Sequence, residues 1–285
     1  MQNAAMLWTG GKDSSLALLE AGQDGYGVSC LVTFAPPQPE FLAHPLQFMK
    51  LQAQALGLPH YVLPVSAPFE KGYETQLRNL REKMGIDAVV TGDIAEVAGS
   101  PNWIRERSRP VEMQVHTPLW GRDRHVLLEQ LLSHGFEVLF SCVKKRWLTE
   151  SWIGRALDER AIADLRIVRE RTGLDLCGEE GEYHTLVTNG PQFTRAIRVE
   201  SYSVRATESL AYMDIRRLAL AGKTGSPCVN ICKLDDRGVC SGCFRTVEEI
   251  AGWSQMTEDE KAAVNAVLAA RRRKPNGVCE VTSNE

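Results

Sequence analysis

Apolar residues in the first part of the chain follow two alternating rhythms. Short runs of aliphatic and β-branched residues at 4–8, 28–34, 60–65 and 86–90 predict buried strands. Between them, spaced apolar positions predict helices from Asp13 onward, over Leu46–Leu56 and over 70–84, the last two stopped by Gly57 and Gly85. Such alternation predicts an α/β fold whose parallel sheet is covered on both faces. The rhythm then changes. Residues 100–118 read as irregular and charged, with Arg105, Arg107 and Arg109 at alternate positions. A helix over 123–134, a strand over 137–143 and a mostly helical stretch over 149–172, closed by Gly173, come next. Apolar and polar residues alternate over 195–205 and through part of 210–220, which predicts half-buried strands.

These elements divide the chain by composition. Residues 1–220 read as one large domain, with a first part over about 1–118 and a smaller α+β lobe over about 119–220. Residues 221–226 read as a linker, and 227–275 as a cysteine-rich module whose two short helices open with Thr246-x-x-Glu249 and Thr257-x-x-Glu260 capping boxes. Residues 276–285 read as a flexible tail.

A chain of 285 residues with 44% hydrophobic content can bury a full core. A formal net charge of -3 argues against a protein built to coat nucleic acid, so nucleic acid is disfavoured as a partner. No apolar run is long enough to span a bilayer and no secretory pattern opens the chain, so no membrane partner and a cytoplasmic location are expected. Eight cysteines in that setting point to thiols or metal ligands rather than disulfides. A homodimer is left open.

The most informative chemistry sits where the first strand turns into the first helix. There Thr9-Gly10-Gly11-Lys12-Asp13-Ser14-Ser15 places two glycines, a mobile lysine and hydroxyl groups at a helix N-terminus. Glycines let the backbone approach a ligand, and unpaired amides at a helix start favour an anion. The spacing is not that of a Walker A loop. It resembles the PP-loop, S-G-G-x-D-S, of the ATP pyrophosphatases, with Thr9 in place of the first serine.

A second stretch, Gly178-Glu179-Glu180-Gly181-Glu182-Tyr183-His184-Thr185, crowds three carboxylates between glycines. Such carboxylates face water, a cation or a substrate amine. The PP-loop, Thr91-Gly92-Asp93-Ile94, Pro118-Leu119-Trp120 and this acidic stretch occur in one order, and together they resemble the diphthine–ammonia ligase family of N-type ATP pyrophosphatases over roughly residues 1–220. That resemblance implies a HUP-type sheet with a smaller second lobe, and ATP-dependent amide formation with ammonia on a carboxylate-bearing small molecule or protein. It implies ATP on Thr9–Ser15, with Lys12 stabilising phosphate charge, Asp13 placing Mg²⁺, Glu179 and Glu182 orienting the amine or metal, and His184 as proton carrier. Asp93, at a strand's carboxyl end, is a candidate to bind metal or orient substrate, with a turn aspartate the plainer reading.

Finally, Cys228-x3-Cys232-x7-Cys240-x2-Cys243 has the spacing of a thiolate metal site, Zn²⁺ or an iron–sulfur cluster. The surrounding segment resembles a small bacterial domain expected to bind iron–sulfur. Cys30 and Cys142 read as core residues. Two other functions fit parts of this pattern. One is a tRNA-thiolating PP-loop enzyme that uses the cysteines. The other is a non-catalytic ATP sensor with a metal-bearing partner module.

Overall fold

The computed structural model describes residues 2–96, 99–222, 226–228 and 233–272. They form two compact units, Met1–Leu220 and Ala221–Glu285.

In the first unit, five strands make a parallel sheet: β1 (Gln2–Leu7), β2 (Tyr26–Ala35), β3 (His60–Pro64), β4 (Ala88–Val90) and β5 (Gln114–His116), in the order β3-β2-β1-β4-β5. Helices α1 (Lys12–Gln23), α2 (Leu46–Leu56), α3 (Phe69–Met84) and α4 (Trp103–Ser108) connect them. Side chains alternate across β1, so Ala4 and Met6 join one core while Ala5 joins Leu77, Leu80 and Val111 on the other face. Burial on both sides is why these strands read as continuous apolar runs. The chain proceeds outward from β1 through β2 to β3, then returns to the far side of β1 at β4. The crevice at the carboxyl ends of β1 and β4 is therefore the topological switch point, where open α/β sheets bind ligands.

The second lobe is antiparallel. Strands β6 (Glu137–Lys144), β7 (Tyr183–Asn189), β8 (Ile197–Ala206) and β9 (Leu210–Leu220) lie in the order β7-β6-β9-β8. Helices α5 (Arg124–Ser133) and α6 (Glu159–Thr172) accompany them, capped by the Asp123 and Asp158 carboxylates. Phe140, Val143, Leu186 and Met213 share one core with Met6, Trp8 and Leu16 of the first lobe.

Two expectations change. The stretch 100–118 is not irregular: it carries α4 and β5, and β5 pairs with β4 at the sheet edge. Three residues of strand between charged segments are too short for periodicity to reveal. The stretch 149–172 is helical only from Glu159, after a single tight turn at Glu150–Trp152. Gly154 breaks it, with φ at 80° and Tyr202 packed where a side chain would stand.

In the second unit, α7 (Val247–Gly252) opens with the Thr246/Glu249 capping box, and Thr257 and Glu260 exchange the same bonds before α8 (Glu258–Arg272). Arg271 pairs with Glu249 at 2.6 Å and so ties α8 to α7.

Candidate functional site

The loop from Trp8 to Lys12 is held from three sides. The Gln52 amide, fully buried on α2, donates to the Gly10 and Val187 carbonyls at 2.9 Å each and accepts from the Trp8 indole at 3.0 Å. On β7, Val187 N–H donates to the Gly10 carbonyl at 3.1 Å, and the Thr185 hydroxyl accepts from the Lys12 amide at 3.1 Å. From β4's end, Gly92 packs so closely that a Cβ would stand 2.6 Å from the Asp13 carbonyl carbon and 2.7 Å from the Ser14 nitrogen. Glycine is thus required at 92 by close approach of two backbones.

Lys12 is not mobile. It is 3% exposed, and its ammonium touches the Asp13 carboxylate at 2.6 Å, donates to the Cys177 carbonyl and sits 5.4 Å from the Tyr183 ring centre. Burial works against its charge, but the Asp13 carboxylate, together with Tyr183 and Cys177, more than offsets it and keeps Lys12 protonated, while the same burial pushes the Asp13 carboxyl up against the pull of Lys12. Ser14 and Ser15 turn their hydroxyls back to the Gly11 carbonyl at 3.1 and 3.0 Å. Thr9 bonds the Ser14 hydroxyl at 3.2 Å.

These residues border a cleft of about 500 Å³. Thr9, Gly11, Lys12, Asp13 and Ser14 line it together with Asp93, Glu179 and His184. Gly10 and Ser15 are not among the residues that line it. Asp93 is anchored by the Thr91 hydroxyl at 2.7 Å and the Asn102 amide at 2.6 Å. Glu179 accepts a long bond from the Ile94 amide at 3.4 Å, and burial, with Asp13 nearby, pushes its carboxyl up to about 7. The lining also includes apolar and aromatic residues, Leu7, Val32, Phe34, Tyr73 and Ile104, with the Phe34 and Tyr73 rings 4.7 Å apart.

Glu182 lies apart from this group. It is 2% exposed, takes the Asp175 amide at 2.8 Å on one oxygen, and borders a second hollow with Arg122, Arg124 and Arg169. The arginines at 105 and 107 are spent on neighbours: Arg105 stacks on Trp120 and bonds Thr117, and Arg107 pairs with Glu74 at 2.9 Å. Cys177 is buried, and burial pushes its thiol up to about 12, so its contribution is its carbonyl.

His44 is a lining residue that sequence reasoning missed, as are Tyr73, Ile104 and Thr185. It comes from the proline-rich loop before α2, and its ring meets His184 edge-to-face at 5.2 Å. Burial and the neighbouring ring hold His44 down to about 3, and burial with Lys12 holds His184 down to about 4. Gln52 was missed too. A glutamine among apolar helix positions was the available signal, since a buried amide requires partners.

Comparison with known proteins bears on this arrangement. Residues 1–113 match the model described as diphthamide synthase N-terminal domain, and 123–221 the one described as diphthamide synthase C-terminal domain. A diphthine–ammonia ligase from Danio rerio is 26% identical over 238 residues, covering 73% of this chain and 88% of that protein. The Homo sapiens protein of the same name is 23% identical over 253 residues, covering 78% and 94%. This chain belongs to the diphthine–ammonia ligase family. A solved structure described as a "predicted subunit of tRNA methyltransferase" from Methanocaldococcus jannaschii covers 67% of this chain and 98% of its own at 19% identity, with a TM-score of 0.38, too loose a likeness to bear on function.

Beyond the diphthine–ammonia ligase portion, residues 226–272 match a domain family of unknown function, DUF1289. Within it, 39 residues are 49% identical to Escherichia coli YdhL, an uncharacterised protein, covering 49% of that protein. Cys240 and Cys243 are buried there, and the Arg245 guanidinium contacts the Cys243 sulfur at 3.4 Å. Backbone amides of Cys243 and Gly242 donate to the Cys240 sulfur and lower its pKa. Cys232 and Cys279 lie outside the described residues. Among the described residues no group of three or more His, Cys, Asp or Glu is arranged to hold a metal ion, and no helix is long and apolar enough to cross a membrane.

Proposed function

We propose that this chain is an ATP-dependent ligase that joins ammonia to a carboxylate and forms AMP and pyrophosphate. The observation that carries the reading is the clamped loop at the switch point, with Lys12 held charged beside a cleft that also contains Asp93 and Glu179. The amides at the start of α1 and the Lys12 ammonium receive the phosphates. The apolar wall of Val32, Phe34, Tyr73 and Ile104 takes the base. A substrate carboxylate oxygen attacks the α-phosphorus and pyrophosphate leaves. Ammonia then attacks the resulting acyl-adenylate and AMP leaves. The Lys12 charge is already desolvated and positioned, so it stabilises developing negative charge with little reorganisation.

The donor set fits Mg²⁺, which binds one or two carboxylates together with substrate phosphates. Asp13 and Glu179 would hold it, and it would supply neutralisation of phosphate charge. Glu179 suits this role because its carboxylate is held near Asp13 with a single long hydrogen bond. Glu182 acts by positioning: its bond to the Asp175 amide shapes the turn that presents the Cys177 carbonyl to Lys12. The spacing of Cys228, Cys232, Cys240 and Cys243, with amide donors at Cys240, supports a Zn²⁺ or iron–sulfur site in the second unit.

The test is nucleotide analysis after incubation with ATP, ammonium and a panel of carboxylates that includes a diphthine-bearing substrate. AMP and pyrophosphate are expected, and Lys12→Met abolishes both. ADP and phosphate would refute the reading.

A further inference from the structure

We propose that Asp175 is a positioning residue for the ligase reaction: it folds the turn that aims the Cys177 carbonyl at the Lys12 ammonium. The proposal deepens the ligase reading above, and its kinetic part rests on that reading. Lys12 is not held by Asp13 alone. Its ammonium also donates to the Cys177 carbonyl, and the two acceptors together fix where the charge sits beside the cleft. A single acceptor would leave a flexible lysine stem free to swing.

The direction of that carbonyl is set from Asp175. In a planar trans peptide the C=O and the next N–H point opposite ways. The Gly178 N–H donates back to the Asp175 carbonyl at 3.0 Å, so the Cys177 C=O faces out of the turn, toward Lys12. The Asp175 side chain closes the same turn. One carboxylate oxygen accepts the Cys177 N–H at 2.8 Å, which makes an Asx-turn. That oxygen also takes a long bond from the Glu179 N–H at 3.5 Å, so the acidic residue of the cleft hangs from the same point. The other oxygen accepts from Arg124 Nε at 3.1 Å at the start of α5, and the Asp175 N–H donates to Glu182 at 2.8 Å. Gly178 completes the turn with φ at 75°, and a Cβ there would stand 2.9 Å from the Tyr183 carbonyl oxygen.

Asp175 borders the second hollow and not the cleft, so it acts on the reaction through Cys177 and Lys12. What it supplies is an acceptor at a fixed place. Its charge works the other way: burial, and in smaller part the Asp175 carboxylate, disfavours the ionised forms of Asp13 and Glu179.

The test separates the acceptor from the charge by comparing Asp175→Asn with Asp175→Glu. Asparagine keeps an oxygen for the Cys177 amide and drops the charge, and Arg124, 25% exposed, turns to water. Glutamate keeps the charge but carries it one methylene past the amide. The first readout needs no turnover. A buried, hydrogen-bonded ammonium exchanges its protons slowly, so nitrogen NMR of the labelled parent chain should show a protected lysine signal that Lys12→Met removes. D175N should keep this signal and D175E should lose it. The second readout is kcat for AMP formation from ATP, ammonium and a carboxylate that the parent activates. Misplacing a reacting group by about 1 Å costs about 10²-fold, so D175E should lose that much, and D175N clearly less. A D175E chain that keeps the protected signal would overturn the proposal. So would a D175N chain impaired as badly as D175E, or a parent chain with no protected lysine. If the parent makes no AMP with any carboxylate, the ligase reading fails and the kinetic part with it, while the Lys12 signal still decides whether Asp175 places the ammonium.

Discussion

Gln52→Leu removes the clamp on the loop from Trp8 to Lys12 at nearly constant volume. The side chain is fully buried and satisfies three buried groups: the Trp8 indole N–H and the carbonyls of Gly10 and Val187. Each lost bond costs about 1 kcal/mol, and more if the orphaned group finds no other partner. The total is about 3 kcal/mol, a large share of the roughly 5–15 kcal/mol that holds a domain together. With a urea slope of about 1–3 kcal/mol per molar, the unfolding midpoint of the first unit should fall by about 1 M or more. Gln52→Glu should be worse than leucine, because a carboxylate oxygen would then face two carbonyl oxygens. Urea denaturation followed by Trp fluorescence measures both, since Trp8 sits on the affected bond. Saturating ATP adds a second reading. At a concentration 100 times Kd it should stabilise the parent chain by about 2.7 kcal/mol, and the leucine variant by less at the same concentration. A midpoint within about 0.2 M of the parent, or a glutamate variant more stable than the leucine one, would refute the reasoning.

Gly92→Ala should destabilise by about 1–3 kcal/mol in thermal unfolding, because its Cβ meets the Asp13 and Ser14 backbones, whereas Gly22→Ala, with open space in α1, should be neutral or stabilising by up to about 1 kcal/mol. Glu179 has a folded pKa near 7, above its unfolded value, so its contribution to stability is complete below about pH 4.5 and is lost as pH rises toward 7. Glu179→Gln should therefore flatten the stability profile of the nucleotide-free chain across that window. His44 and His184 act with the opposite sign, their folded values lying below the unfolded one, so their contribution is lost as pH falls from about 6.5. In the second unit, Cys243→Ser should abolish bound zinc or iron measured by elemental analysis of anaerobically purified protein, and a metal-free parent chain would exclude the site.

How much of this was legible beforehand follows from the range of each interaction. Strand–helix alternation, the stops at Gly57, Gly85 and Gly173 and the capping boxes are set by neighbours a few residues apart, so sequence alone showed them. The loop from Thr9 to Ser15 was visible for the same reason: a strand end, two glycines and a helix start are one local unit. Tertiary structure decided the rest. Lys12 looks free until residue 177 brings it a carbonyl 165 positions away. Glu182 and Glu179, three residues apart, face different hollows because the turn between them reverses the chain. His44 and Gln52 carry no motif at all. Gln52 matters only because β7 docks on the first loop and places Val187 within hydrogen-bond reach, and His44 only because the fold brings its ring against Gly11 and His184; contacts of that span leave no periodicity in the chain to be read.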